Sequence, residues 1–347
     1  YIIISIIASM TINSVLRNYA KKYKILVDLP DRSRKFHKRS TPLTGGLGIL
    51  LALLISGKLY IDLNDLTGYL PEFTFQLMVI STPLLILFLI DDLKGLKPFY
   101  RILIQCSLST YMIFSTGVYL ESLGDIFGFG DLNLGIFGIP FTIFCVVGVM
   151  NAFNMMDGIN GLCSGCAMIA LILIGFYSGL IYDSMLVLII GSMIGFLIFN
   201  LGFLGKKRGV FLGDSGSNLI GFWVAWIAIY SSQNQIYGIN PITMLWFIAI
   251  PLLDCIGLIF YRIKIGKSWS TAGRDHIHHK LMHNLSPKMT LIVILVITFI
   301  TGLFGIMIEI IWPSYISMIL FFLYASIYYV IAGFIGKSFL KMNKDNV

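Results

Sequence analysis

Met289-Thr-Leu-Ile-Val-Ile-Leu-Val-Ile-Thr-Phe-Ile-Thr-Gly-Leu-Phe-Gly-Ile-Met-Ile-Glu-Ile-Ile311 contains one charged residue, Glu309. A stretch of about 20 apolar residues is what one helix needs to cross the hydrocarbon core of a bilayer. Only a helix pairs all its backbone groups within its own segment, so lipid imposes that conformation. Working outward, ten further stretches read the same way: 1–16, 43–61, 74–90, 100–117, 136–153, 162–181, 184–202, 217–232, 242–261 and 314–335. The composition agrees. AVILMFWYC make up 57% of the chain and DEKR 12%, with mean hydropathy +0.87; a soluble domain carries roughly 25% charged residues. The sequence therefore predicts an all-α polytopic membrane protein of about eleven transmembrane helices. Tyr1 already lies inside an apolar run, so residues 1–16 read as the remainder of a first span rather than as a signal peptide.

The placement of charge tests that span count. Of the 25 Lys and Arg, 24 fall in alternate loops: 17–42, 91–101, 203–216, 262–288 and the 336–347 tail. Lys58 is the exception, while Asp62, Asp65, Glu72, Glu121, Asp125 and Asp131 occupy the opposite loops. By the positive-inside rule the N-terminus lies outside and the C-terminus in the cytoplasm. The net charge of +8 is thus a topological signal, with no nucleic acid implied. Strand-like alternation is absent, which excludes an outer-membrane barrel, and no internal repeat marks a second domain. Cys163-x-x-Cys166 lies in an apolar span and reads as helix packing rather than as a zinc or redox site.

The polar signals gather on the basic side. Asp91-Asp92 ends the third span, with Lys94, Lys97 and Arg101 close behind. Two adjacent carboxylates repel and draw a cation to them; a solvated helix end is the plainer reading. Asn151-x-x-Asn154-x-x-Asp157-Gly158-x-Asn160-Gly161-Leu162 joins the fifth and sixth spans. Its polar residues either line a wet cavity or form an ordinary turn. Phe211-Leu-Gly213-Asp214-Ser215-Gly216-Ser217 leads into the eighth span. There free N–H groups offer a phosphate site, Asp214 caps the helix or holds Mg²⁺, and Phe211 is placed to stack on a base. Arg274-Asp-His276-Ile-His278-His279-Lys280 suits a diphosphate better than zinc. Asp254 lies inside a span, where ionisable residues are functional by default or paired with a neighbouring helix. Together these point to metal-dependent phosphoryl chemistry at the inner leaflet. A transporter would instead place such residues near the midplane of repeated halves.

These motifs, in order and on one face, resemble the polyprenyl-phosphate N-acetylhexosamine-1-phosphate transferases from about Asp28 to the tenth span. Asp28-x-Pro30, Arg34-Lys35-x-His37 and Thr41-Pro42-x-x-Gly45-Gly46 extend the resemblance into the first loop. His276-Ile-His278-His279, Asn200-Leu-Gly-x-Leu-Gly and Ile250-Pro251-Leu252-x-Asp254 are similar to the branch that acts on undecaprenyl phosphate and UDP-GlcNAc. The resemblance implies one transmembrane transferase domain over 1–347, its site formed by loops 17–42, 91–101, 154–161, 203–216 and 262–288. The implied reaction transfers GlcNAc-1-phosphate to undecaprenyl phosphate and releases UMP, starting O-antigen or a related surface polysaccharide. Mg²⁺, with Mn²⁺ as substitute, is the implied cofactor. The implied partners are the two substrates and the lipid bilayer of the bacterial inner membrane; a homo-oligomer is compatible with the sequence. Another UDP-N-acetylhexosamine is the alternative donor.

The implied catalytic residues are Asp91, Asp92 and Asp157, with Asp214 and Asn154 on the metal. The implied substrate-binding residues are Arg39, Thr44, Lys94, Arg101, Asn154, Asn160, Phe211, Arg274, His276, His278 and His279. Bacterial members usually carry Asp at the position of Asn160, whereas eukaryotic dolichol-linked relatives carry Asn. An amide carbonyl there still accepts a hydrogen bond.

Overall fold

The computed structural model describes residues 1–28, 40–64, 72–268, 273 and 275–344. Arg39 and Arg274, both expected to bind substrate, lie outside the described residues. All eleven apolar stretches are helical. Among the described residues, six helices are long and apolar enough to cross a membrane, or seven counting one bent pair. The chain divides into two compact units, Tyr1–Val118 with Gly179–Trp223, and Tyr119–Ser178 with Val224–Val347.

The first unit holds α1 (Ile2–Tyr23), the short strands β1 (Val27–Asp28) and β2 (Thr41–Pro42), α2 (Gly45–Leu63), α3 (Glu72–Lys94), α4 (Pro98–Thr116), α7 (Ser184–Asn200) and the first half of α8 (Gly213–Gln233). The strands pair antiparallel, Val27 with Pro42 and Asp28 with Thr41. In lipid there is little hydrophobic drive between helices, so contact is built from small residues and hydrogen bonds. The α1–α7 seam follows that rule. Ser5 Oγ donates to Leu188 O and Ser9 Oγ to Ser192 O, each at 2.7 Å. A Cβ at Gly191 would sit 2.9 Å from Ile2 O, and one at Gly195 2.7 Å from Ile6 O. Glycine is what lets the two backbones approach.

The second unit holds α5 (Gly138–Met156), α6 (Leu162–Ser178), the remainder of α8, α9 (Pro241–Phe247), α10 (Ala249–Lys264), α11 (Ile277–Leu281), α12 (Pro287–Ile311) and α13 (Ser314–Lys344). Its core gathers on Trp246, fully buried against Phe304, Phe321 and Tyr324, with its indole N–H donated to Ser317 Oγ at 3.0 Å. The stretch expected as one continuous span at 242–261 is instead α9 and α10, bent by 83°. Pro251 accounts for the break: it has no N–H for the carbonyl four residues back, and its ring crowds that position. Cys166 Sγ lies 3.7 Å from Thr298 Oγ1 on α12, and a Cβ at Gly165 would meet Leu295 at 2.8 Å. The Cys-x-x-Cys face thus packs one helix on another, as its sequence suggested.

Candidate functional site

In the first unit, β2 and the start of α2 set the position of the α8 N-terminus. Phe211 N donates to Pro42 O at 2.8 Å, Gly45 N to Phe211 O at 2.9 Å and Gly46 N to Leu212 O at 3.1 Å. A Cβ at Gly46 would lie 2.5 Å from Gly216 Cα, so Gly45-Gly46 and Gly213-x-x-Gly216 are two halves of one backbone contact. Thr44 is buried just ahead of α2, 2% exposed, with no partner for its hydroxyl among the described residues. Phe211 is half-buried. Gly213 takes a φ of +79°, a left-handed turn that glycine adopts without strain.

Onto that N-terminus comes the end of α3. Asp92 Oδ1 accepts the Asp214 N–H at 2.8 Å and Oδ2 the Ser215 N–H at 3.1 Å. The sequence left Asp214 either capping α8 or holding Mg²⁺, with the free N–H groups open to a phosphate; the cap is instead Asp92, which takes the Asp214 and Ser215 N–H groups. A carboxylate from another helix fills them, and it complements the positive end of the helix dipole. Asp91 is buried, accepts the Leu96 N–H at 2.6 Å and pairs with Arg101 Nε at 2.8 Å. Arg101 also reaches Asp214 Oδ2 at 3.1 Å. Behind them, Gln105 Nε2 donates to Asn218 Oδ1 at 2.7 Å, and Asn218 Nδ2 to Asp214 O at 2.8 Å.

The sequence separation of Asp91, Asp92, Arg101 and Asp214 thus closes into one cluster. Three carboxylates against one guanidinium leave excess negative charge. The Asp214 side chain is the most accessible of the ion-paired groups, at 39%. The Asp91 and Asp92 oxygens are committed to N–H groups and Arg101, so Asp214 is the carboxylate of the cluster suited to an oxygen-preferring cation such as Mg²⁺ or Mn²⁺. Lys94 is exposed at the end of α3.

The remaining described candidates belong to the second unit. Asp157 and Asn160 are exposed and Asn154 half-buried in the turn from α5 to α6, where Gly161 takes a φ of +81°. His276, His278 and His279 form one group, with ring centroids 5.3 Å apart for His276–His278 and 4.2 Å for His278–His279. The structure adds a contact between two sequence motifs. A Cβ at Gly158 would collide with His278 Nε2, so Gly158 is required by close approach of an imidazole. His278 is fully buried, and among the described residues neither ring nitrogen has a hydrogen-bond partner. Burial, then His279 and His276, push its pKa down to about 3, against an opposing pull from Asp254. His278 is therefore a neutral imidazole at physiological pH.

Asp254, which sequence reasoning left between function and helix pairing, is tied to this group through His276. The signal in the sequence was a carboxylate inside an apolar helix just after a proline. Nothing local pointed to Tyr328, which donates to Asp254 Oδ1 at 3.4 Å from α13.

Comparison with known proteins matches residues 73–232 to the profile of glycosyl transferase family 4. The chain is 32% identical over 314 residues to the undecaprenyl-phosphate alpha-N-acetylglucosaminyl 1-phosphate transferase of Escherichia coli O157:H7, covering 88% of this chain and 83% of that protein. The enzymes of the same name from Yersinia pestis and Haemophilus influenzae are 33% and 36% identical. Those alignments cover 88% and 86% of this chain, and 84% and 85% of the relatives. On this identity across most of both chains, the protein belongs to glycosyl transferase family 4, as a polyprenyl-phosphate N-acetylhexosamine-1-phosphate transferase.

Proposed function

We propose that the protein transfers GlcNAc-1-phosphate from UDP-GlcNAc to undecaprenyl phosphate, releasing UMP and opening the synthesis of O-antigen or a related polysaccharide. The observation that carries the reading is identity of 32–36% over most of each chain to three enzymes named for that transfer. The acidic cluster around Arg101 supplies chemistry of the right kind. The charge partition between loops supports eleven spans, an outside N-terminus and an active face in the cytoplasm of the bacterial inner membrane.

The acceptor is a phosphate monoester with a second pKa near 6, so at neutral pH it is largely the dianion. A general base has roughly one pKa unit, about 1.4 kcal/mol, left to supply. The larger task is to hold several negative oxygens in line, which cations do in phosphoryl transfer generally. Asp214 would hold Mg²⁺, and the ion when bound would neutralise charge on the transferring phosphoryl group. Asp91 holds Arg101 in the cluster, and Arg101 has its guanidinium edge on Asp214. Asp92 fixes the α8 N-terminus that carries Asp214. His276 and His279 hold the donor diphosphate, and Phe211 stacks on the uracil.

Purified protein, undecaprenyl phosphate, Mg²⁺ and a panel of UDP-sugars, followed by UMP release, test the reading. Fastest turnover with UDP-GlcNAc is expected. Faster turnover with another UDP-N-acetylhexosamine would move the donor assignment, and no UMP release with any sugar would overturn the reaction.

A further inference from the structure

Asp254 is buried in α10, 7% exposed, and three donors converge on it. His276 Nδ1 lies 2.7 Å from Oδ2, the Ile277 N–H lies 2.9 Å from Oδ1, and Tyr328 Oη lies 3.4 Å from Oδ1. A buried carboxylate without partners would be costly; this one is filled by His276 and the Ile277 N–H at the opening of α11 and by Tyr328 from α13. The oxygen and nitrogen atoms of Asp254, His276 and His278 also lie close enough to suggest a cation. However, the 2.7 Å separation is a hydrogen bond already made, and both carboxylate oxygens already have donors.

We propose that Asp254 is a positioning residue for the donor diphosphate, acting through His276 by fixing which ring nitrogen faces it. The proposal rests on the reading that His276 binds that diphosphate. The carboxylate is acceptor-only, so the nitrogen beside it, Nδ1, must carry the hydrogen. Nε2 is then the nitrogen left for ligand. When Nε2 also bears hydrogen, the ring donates from it to a diphosphate oxygen, and Asp254 balances the charge of that imidazolium.

The test is steady-state UMP release by the whole chain, varying UDP-GlcNAc and undecaprenyl phosphate separately. Asp254→Asn, whose amide can turn either its oxygen or its NH₂ to the ring, should raise the donor KM by about tenfold or more, in line with loss of a charge-assisted hydrogen bond. The acceptor KM should stay within about twofold, since nothing in the proposal touches it. Asp254→Glu should restore part of the donor affinity.

In a His276→Gln background, Asp254→Asn should cost little more, because its effect runs through that ring. An unaltered donor KM in Asp254→Asn, or equal losses against both substrates, would overturn the positioning role while leaving the enzyme assignment intact. Additive losses in the double variant would do the same. If Asp254→Asn fails to fold, Asp254→Glu alone decides by its donor KM set against its acceptor KM. Wild type that releases no UMP from UDP-GlcNAc would overturn the functional reading, and this proposal with it.

Discussion

The carboxylate of Asp92 accepts the backbone N–H of Asp214 at 2.8 Å, across 122 residues of sequence. The second acid of the Asp91-Asp92 pair thereby serves as the cap of the helix that carries Asp214. Asp91, one residue away, is held by Arg101 and the Leu96 N–H. Both acids have structural work beside any part in proton transfer.

That sets the expectation for Asp91→Asn and Asp92→Asn. If a carboxylate acts only as a base, its Asn variant recovers above the second pKa of the acceptor, where the phosphate ionises unaided. Near neutrality such a loss is about tenfold. In Asp92→Asn the amide has one oxygen for two N–H donors, and the lost cap alone costs about 1 kcal/mol of stability. At least one of the two variants is expected to lose far more than tenfold and to stay impaired at about pH 9. Rates from about pH 6 to about pH 9 at saturating acceptor, with melting curves alongside, check it. Full recovery of both at high pH would mean general-base catalysis dominates.

Asp214→Asn keeps shape and removes one negative charge from the accessible edge of the cluster. Its backbone contacts to Asp92 and Asn218 come from N–H and C=O groups that the change leaves alone. Turnover should fall steeply while the melting temperature stays near wild type. EDTA should abolish wild-type activity, with Mg²⁺ or Mn²⁺ restoring it. Full activity in EDTA would sink the metal-centred account.

Span positions were legible because lipid imposes helix and apolar length together, with no tertiary knowledge needed. The break at Ile248 was carried by Pro251, but a proline this near a helix start also permits a straight span through tertiary compensation, so the local signal was two-valued. The acidic cluster was legible as residue types only. That Asp92 would take the α8 N–H groups from Asp214 depends on a contact between α3 and α8, and no local pattern encodes such a contact. Gly158 lies in the connection between two helices, where a glycine calls for no distant explanation; its reason is the His278 ring, 120 residues away, which periodicity cannot show.

Gly158→Ala is expected to displace that ring. The added methyl has no room, and the neighbour is a ring enclosed by His276 and His279. Overpacking of this kind costs about 1–3 kcal/mol. Activity should fall with it. His278→Ala opens the space, so the double variant should be less impaired than the sum of the two singles. Simple additivity in melting temperature would show that the two residues do not touch.

The buried neutral state of His278 also predicts acid sensitivity with a definite sign. Its native pKa is about 3, below the ordinary value of 6.5. Between these values the unfolded chain carries a proton that the native ring lacks. Stability rises with pH wherever the unfolded state binds more protons, so this contribution is intact above about pH 6.5 and is lost progressively as pH falls toward 3. At about pH 5 the loss is about 2 kcal/mol. His278→Gln removes the titrating group while keeping a polar side chain, and other acid-sensitive groups cancel in the comparison. The fall in melting temperature between about pH 7.5 and about pH 5 should therefore be larger for wild type than for the variant. Identical falls in the two proteins would show that His278 takes up its proton in the native state.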